Sequence, residues 1–252
     1  MKYFIKNYAT ILFIILALLS QYKCNTNRQQ SPNPEKLTIQ KMTPINVPEP
    51  SGIVLSIDGR YFWCVGDSDS KVYLLDLSGN IIKSFVINGE DLEGITVIDS
   101  TKLGVVLERT REVLIIDTSG EEINKKQFDL KGNLNEGLEG ICFDYSTKDF
   151  YFLNEKNPGL LIKTDSSFSE IFRREIIIAK DYSDIFFSKD DNTLWILSDE
   201  SKKIIQTDLN GNKIKEYGID VDQPEGLVVD YKSKTVYVVC DLKETLYEFT
   251  LP

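Results

Sequence analysis

Three glutamates recur in one short frame: Glu93-Gly94-Ile95, Glu139-Gly140-Ile141 and Glu225-Gly226-Leu227. Five further acids, Asp67, Glu108, Glu155, Asp199 and Asp241, each close an apolar run at a matching place. Carboxylates can hold hard metal cations, exchange protons or pair with Lys and Arg. Which of these they do depends on whether the fold gathers them. Other chemistries are excluded at once. The chain has no histidine, so a Ser-His-Asp triad, a Cys-His dyad and a His-ligated zinc site are all ruled out. There is no Gly-rich phosphate loop, no CxxC pair and no EF-hand loop.

The frame itself names the elements that position these acids. Ser51-Gly52-Ile53 and Ser183-Asp184-Ile185 occupy the same slot in weaker form, so copies begin at 51, 93, 139, 183 and 225. A spacing near 40–45 residues, with short β-branched and aromatic runs between copies, marks a β-propeller. Each repeat reads as four strands. In the first these are 51–56, 60–65, 71–75 and 80–87. In the fifth only three are present, at 225–229, 235–240 and 245–251. The segment Leu37–Met42 has no partner of its own and is expected to supply the missing outer strand, closing the ring and removing its edges. The expected fold is all-β: a five-bladed β-propeller of four-stranded blades, closed by an N-terminal strand. Six blades would need a degenerate repeat that is not found. Turns at Asp76-Leu77-Ser78-Gly79, Asp117-Thr118-Ser119-Gly120 and Asp208-Leu209-Asn210-Gly211 recur before the outer strands, with Asp165-Ser166-Ser167-Phe168 as a variant lacking Gly.

In such a ring, strand A starts at the face where strand B ends. Glu93, Glu139 and Glu225 should therefore meet the five strand-B acids at one mouth of the channel. Crowded like charges need raised pKa values, basic partners or a bound cation. Arg109, Lys156 and Lys243 follow acids and are candidate partners. Among metals Ca²⁺ fits best, since it takes six to eight oxygens, and Asn135, Asn154 and Asn157 offer amide oxygens. The plainer reading is that a duplicated repeat inherits its acids without using them. The aromatic residues repeated in strand B, Trp63, Tyr151, Trp195 and Tyr237, are expected to pack between blades.

Composition sets the surroundings. The chain is acidic, with 29 basic against 39 acidic residues. Residues 1–23 carry a basic start and an apolar run, Ala9 to Ser20, and read as an export signal. Their removal takes three lysines and no acid, leaving 26 against 39, a formal charge of −13. So acidic a chain repels nucleic acid and attracts cations. Cys24 directly follows the apolar run and is the expected lipidation site, with 24–35 as a tether to the membrane and 36–252 as the propeller. The expected location is the bacterial cell envelope, as a membrane-anchored lipoprotein. Cys64, Cys142 and Cys240 lie inside apolar runs and read as small buried hydrophobes.

The blocks Pro50-Ser51-Gly52-Ile53, Asp91-Leu92-Glu93-Gly94-Ile95, Gly137-Leu138-Glu139-Gly140-Ile141 and Pro224-Glu225-Gly226-Leu227, behind an export segment, resemble the SdiA-regulated family. That resemblance implies an envelope-associated bacterial β-propeller related to the NHL-repeat group. The family is similar in turn to calcium-dependent propeller hydrolases such as gluconolactonases, paraoxonases and phytase-like propellers. By position it implies a Ca²⁺ site on Glu93, Glu139 and Glu225. Two functions fit: an anchored binding module for a small-molecule or protein ligand, and a Ca²⁺-dependent hydrolase of phosphate or carboxylic esters with Glu139 as base. The paraoxonase-type reaction also uses His, which is missing here. A structural scaffold is the third possibility.

Overall fold

The computed structural model describes residues 34–251. The expected signal (1–23), Cys24 and all but the last two residues of the tether lie outside the described residues. Within them, the second strand of each repeat is apolar almost throughout: YFWCVG, KLGVVL, DFYFLN, TLWILS and TVYVVC. A run with no polar alternation needs cover on both faces of its sheet. The chain provides it by stacking small sheets face to face around an axis.

Two short strands come first, β1 (Glu35–Lys36) and β2 (Ile39–Pro44). Blade 1 is β3 (Pro50–Leu55), β4 (Tyr61–Gly66), β5 (Lys71–Asp76) and β6 (Ile81–Val86). Blade 2 is β7 (Leu92–Asp99), β8 (Lys102–Leu107), β9 (Glu112–Asp117) and β10 (Glu122–Gln127). Blade 3 is β11 (Leu138–Asp144), β12 (Asp149–Asn154), β13 (Leu160–Thr164) and β14 (Glu170–Glu175). Blade 4 is β15 (Asp184–Ser188), β16 (Thr193–Ser198), β17 (Lys203–Thr207) and β18 (Lys213–Gly218). Blade 5 is β19 (Pro224–Asp230), β20 (Thr235–Cys240) and β21 (Thr245–Thr250), with β2 as its outer strand. The fold is thus an all-β, five-bladed propeller closed by its N-terminal strand, as the repeats predict.

The closure differs slightly in register from the expectation. Ile39–Pro44 pairs with β21, Met42 lying opposite Tyr247, while Leu37 stays on blade 4, donating its N–H to the Gly218 carbonyl and burying its side chain between blades 4 and 5. Glu35 and Lys36, at the expected tether boundary, already pair in parallel with Tyr217 and Gly218 on the outer edge of blade 4. The incoming segment therefore touches two blades before the first full repeat begins.

The core is divided into five seams, each filled by residues of two adjacent blades. The strand-B aromatics do pack there. Trp63 lies with Ile95 and Leu103 of blade 2. Tyr151 lies with Ile185 and Ile196 of blade 4, and Trp195 with Leu227 and Val229 of blade 5. Tyr237 meets Phe62 edge-on at 5.0 Å, joining the last blade to the first. Blade 2 has Gly104 in that slot. Cys64, Cys142 and Cys240 are buried and free. The turn aspartates act alike in four blades: Asp76, Asp117, Asp165 and Asp208 each accept backbone N–H bonds from the two residues at +2 and +4. In the variant copy Phe168 adopts the positive φ (63°) that Gly takes elsewhere and buries its ring against Phe150.

Around the axis the innermost strands approach so closely that a side chain would not fit. A Cβ on Gly52 or Gly94 would strike the carbonyl oxygen of Glu93 or Glu139 in the next blade. On Gly140 it would lie 2.9 Å from the Ile185 nitrogen, and on Gly226 2.8 Å from that of Ile53. Gly140→Ala should therefore cost about 1–3 kcal/mol. Gly218→Ala, whose Cβ meets nothing nearer than 3.9 Å, should stay within about 0.5 kcal/mol of wild type. Urea unfolding of both variants checks the contrast, and equal stabilities would refute it.

Candidate functional site

The same inner strands build the mouth. In blades 1, 2, 3 and 5 the register slips where strand A begins, between Pro50 and Gly52, Leu92 and Ile95, Leu138 and Ile141, and Pro224 and Gly226. A bulge of this kind re-aims the side chain at its centre. Ser51, Glu93, Glu139 and Glu225 sit at these bulges and line the mouth. Blade 4 has no slip. There Asp184 occupies the glycine slot and its carboxylate bridges the seam, accepting the Leu227 N–H at 2.7 Å and the Ile185 N–H at 2.8 Å.

All eight acids expected at the mouth line one cavity of about 340 Å³: Asp67, Glu93, Glu108, Glu139, Glu155, Asp199, Glu225 and Asp241. Glu49, Asp181 and Glu200 add three more. Glu49 and Asp181 were missed in the sequence, as was Asp91 just behind the wall. Their signal was present: all three stand two residues before the bulge slot, where blades 3 and 5 carry Gly137 and Gln223. Backbone bonds fix this layer. The carbonyls of Glu49, Asp91, Gly137 and Gln223 accept the N–H groups of Asp67, Glu108, Glu155 and Asp241. Asp181 instead takes the Glu200 N–H on its carboxylate, and the Ser198 hydroxyl donates to it.

The acids are not evenly spread. Carboxylate oxygens of Asp67, Asp91 and Glu93 lie within 4.8 Å of one another, at the seam of blades 1 and 2. Those of Glu108, Glu139 and Glu155 do the same at the seam of blades 2 and 3. Glu93, Glu139 and Glu225 thus share one cavity but fall into different neighbourhoods. Glu225 belongs to neither tight group among the described residues, and the charges that act on it most are those of Asp199 and Asp241.

Built-in cations are few, and some differ from expectation. Lys156 is the one basic residue on the cavity wall among the described residues, 2.7 Å from Glu155 and 3.2 Å from Glu200. Arg109 pairs with Asp91 at 3.0 Å, not with the adjacent Glu108. Lys243 reaches Asp222 at 3.2 Å rather than the nearby Asp241, which has no salt bridge among the described residues. Lys202 holds Asp199 at 2.7 Å. Of the three asparagines only Asn135 lines the cavity. Asn154 is buried and spends its amide N–H groups on the carbonyls of Lys156 and Pro158. Ser51 donates its hydroxyl to the Leu92 carbonyl across the seam.

Burial, then the neighbouring charges, push the mouth carboxyls upward. Glu93 and Glu139 rise well above the usual range, each from desolvation first and then from other mouth acids. Glu225 rises to about 8, from burial and then Asp199 and Asp241. Glu108 rises to about 7, its burial partly offset by the Gly137 N–H, and Asp67 to about 6. Glu155 and Asp241 also rise, mainly by burial.

The fold and this mouth define a class: a closed five-bladed propeller with an acid-lined opening at one end of its channel. Over residues 29–250 the sequence matches the SdiA-regulated family, and the chain belongs to it. Its fold is similar to that of Myxococcus xanthus glutaminyl cyclase, at 12% identity and a TM-score of 0.68, covering 86% of this chain and 97% of that one. A chain of a nidogen/laminin complex is similar at 12% identity and 0.60, covering 80% and 76%. Streptogramin B lyase is similar at 17% identity and 0.51, covering 84% and 72%. At these identities the likeness concerns the fold.

A carboxyl whose pKa rises on folding takes up a proton as the chain folds, across the window between its unfolded and folded values. Its effect on stability is least harmful below the unfolded value, about 4–4.5, and grows as pH rises through the folded value. The turn aspartates act oppositely: hydrogen bonds lower Asp76, Asp117 and Asp165, and their contribution is lost only as pH falls below the unfolded range. In chelator-treated buffer the melting temperature should therefore peak near pH 5 and decline toward pH 8. A flat or rising profile across that window, measured by calorimetry, would contradict this account of the mouth.

Proposed function

We propose that this protein is a binding module whose acidic mouth holds a divalent cation, with Ca²⁺ as the best fit, and presents it to a small-molecule or protein ligand. The observation that carries this reading is Glu139. It is 9% exposed, faces the cavity, and its one side-chain partner among the described residues is another acid, Glu108. Two buried carboxylates in contact need a shared proton or a metal between them. The donor set around it is oxygen throughout, which suits a hard cation. A cavity with flexible glutamates suits the larger, more tolerant Ca²⁺ over Mg²⁺. Propellers similar in fold include a cyclase, a lyase and a partner in a protein complex, so the fold is compatible with catalysis and with binding. The wall has no histidine to serve as a base.

Thermal unfolding at pH 7.5 with Ca²⁺ and with chelator tests the reading. At about a hundredfold excess over Kd, Ca²⁺ adds about 2.7 kcal/mol. That corresponds to roughly 5–10 °C for a domain of this size. In Glu139→Gln the side chain copies the protonated acid, so the metal-free midpoint should hold while the Ca²⁺ shift disappears. No shift in wild type would end the proposal. Turnover of an ester or phosphoester panel that Glu139→Gln abolishes would replace the binding module by a hydrolase.

The proposed setting is the bacterial envelope, with the propeller tethered through a lipid on Cys24. The support is the apolar run ending just before Cys24 and the polar, proline-containing stretch after it. Cys24→Ala should move the protein from the membrane to the soluble fraction on cell fractionation. An unchanged distribution would refute lipid anchoring at this residue.

A further inference from the structure

The cation reading leaves its position open, and the seam between blades 2 and 3 differs from the other four. Its connection, residues 128–137 between β10 and β11, is the longest inter-blade link; the others span 45–49, 87–91, 176–183 and 219–223. That link is pinned by Arg111, itself 8% exposed, whose guanidinium donates to the carbonyls of Arg109, Gly132 and Asn133. It carries Asn135 into the cavity wall. Beneath it lie Glu108 from the end of strand B of blade 2, Glu139 from the bulge of blade 3 and Glu155 from the end of strand B of blade 3, their oxygens within 4.8 Å of one another. Glu108 accepts the Gly137 N–H on Oε1 at 3.0 Å, and its carboxyl also meets that of Glu139. Glu139 is nine-tenths buried, and among the described residues no N–H, hydroxyl or cation donates to it; its partner is the Glu108 carboxyl. Glu155 alone has a cation, Lys156, shared with Glu200 of blade 4.

The geometry points to a divalent-cation site off the propeller axis, at the seam of blades 2 and 3, on Glu108, Glu139 and Glu155, with Lys156 as a built-in competitor that the metal displaces from Glu155. This rests on the cation reading above and locates it. An axial site among Glu93, Glu139 and Glu225 is the competing arrangement. The seam site binds one cation per chain and needs Glu155 but not Glu225. Lys156, once displaced, keeps Glu200 as its partner.

Calorimetric titration of the full-length protein with CaCl₂ separates these cases. One Ca²⁺ should bind per chain in wild type. Glu155→Gln and Glu139→Gln should each weaken binding about a hundredfold or more, since ligand charge sets affinity in such sites. Glu225→Gln should stay within about threefold, as a screened neighbouring charge. Lys156→Met should tighten binding about tenfold, in the range of outer-shell effects on metal sites. Each variant's midpoint in chelator confirms that it is folded. No heat with wild type would overturn the cation reading itself. Binding in wild type that Glu225→Gln abolishes and Glu155→Gln spares would overturn the seam site while leaving that reading intact. Weaker binding in Lys156→Met would overturn its role as competitor.

Discussion

Five inner strands pressed against one axis are the constraint on which the rest depends. Their backbones come so near that four of the five blades need glycine at the crossing point. The fifth fills the gap with a carboxylate that bonds the neighbouring backbone. The residue before each glycine cannot point inward against the next strand, and the bulge turns it up into the mouth. Glycine and glutamate therefore recur together for two linked reasons. One lets the blades close, and the other is the side chain that closure expels toward the cavity.

Gathering acids in this way carries an electrostatic cost that the chain offsets only in part. Arg109, Lys156 and Lys202 each answer one or two mouth carboxylates, and Lys243 turns away to Asp222. Backbone N–H groups answer Glu108 and Asp181. Among the described residues Glu225 receives no salt bridge or hydrogen bond and Glu139 meets only another acid, Glu108, and the carboxyls of both rise accordingly. A fold that only inherited its acids would gain from losing them, because each ionised, unpaired carboxylate in the mouth opposes folding. Blades 1 and 4 carry serine in that slot, so the repeat tolerates the neutral residue.

Much of this was legible in the sequence because it repeats. The period, the five blades, the closing strand and the eight mouth acids all follow from aligning one tripeptide. The seam packing of Trp63, Tyr151, Trp195 and Tyr237 follows from their shared place in strand B. What was not legible is what depends on direction within a loop. Lys243 follows Asp241 in sequence, yet its side chain reaches back to Asp222. Asn154 and Asn157 neighbour the mouth acids, but the first turns its amide onto the following loop and only Asn135 lines the cavity. The layer of Glu49, Asp91 and Asp181 was hidden for another reason: Gly137 and Gln223 break it in two blades, so the position does not read as a repeated acid.

Repetition explains the fold, whereas departures from it carry the specificity. A perfect five-fold mouth would hold its charge symmetrically and prefer no seam. Here Ser51 and Ser183 remove the strand-A acid from two seams, between blades 5 and 1 and between blades 3 and 4. Asp184 stiffens the seam between blades 4 and 5 by bonding across it. Arg109 already neutralises Asp91 in the tight acid group between blades 1 and 2. The seam between blades 2 and 3 keeps its strand-A and strand-B acids, buries Glu139 with only another acid as partner, and alone has a long, arginine-pinned connection above it. Each departure lowers the demand for an outside cation at one place and concentrates it at another. The asymmetry of the mouth is thus the sum of small local substitutions in a symmetric frame, and it is there that a function particular to this chain has to be sought.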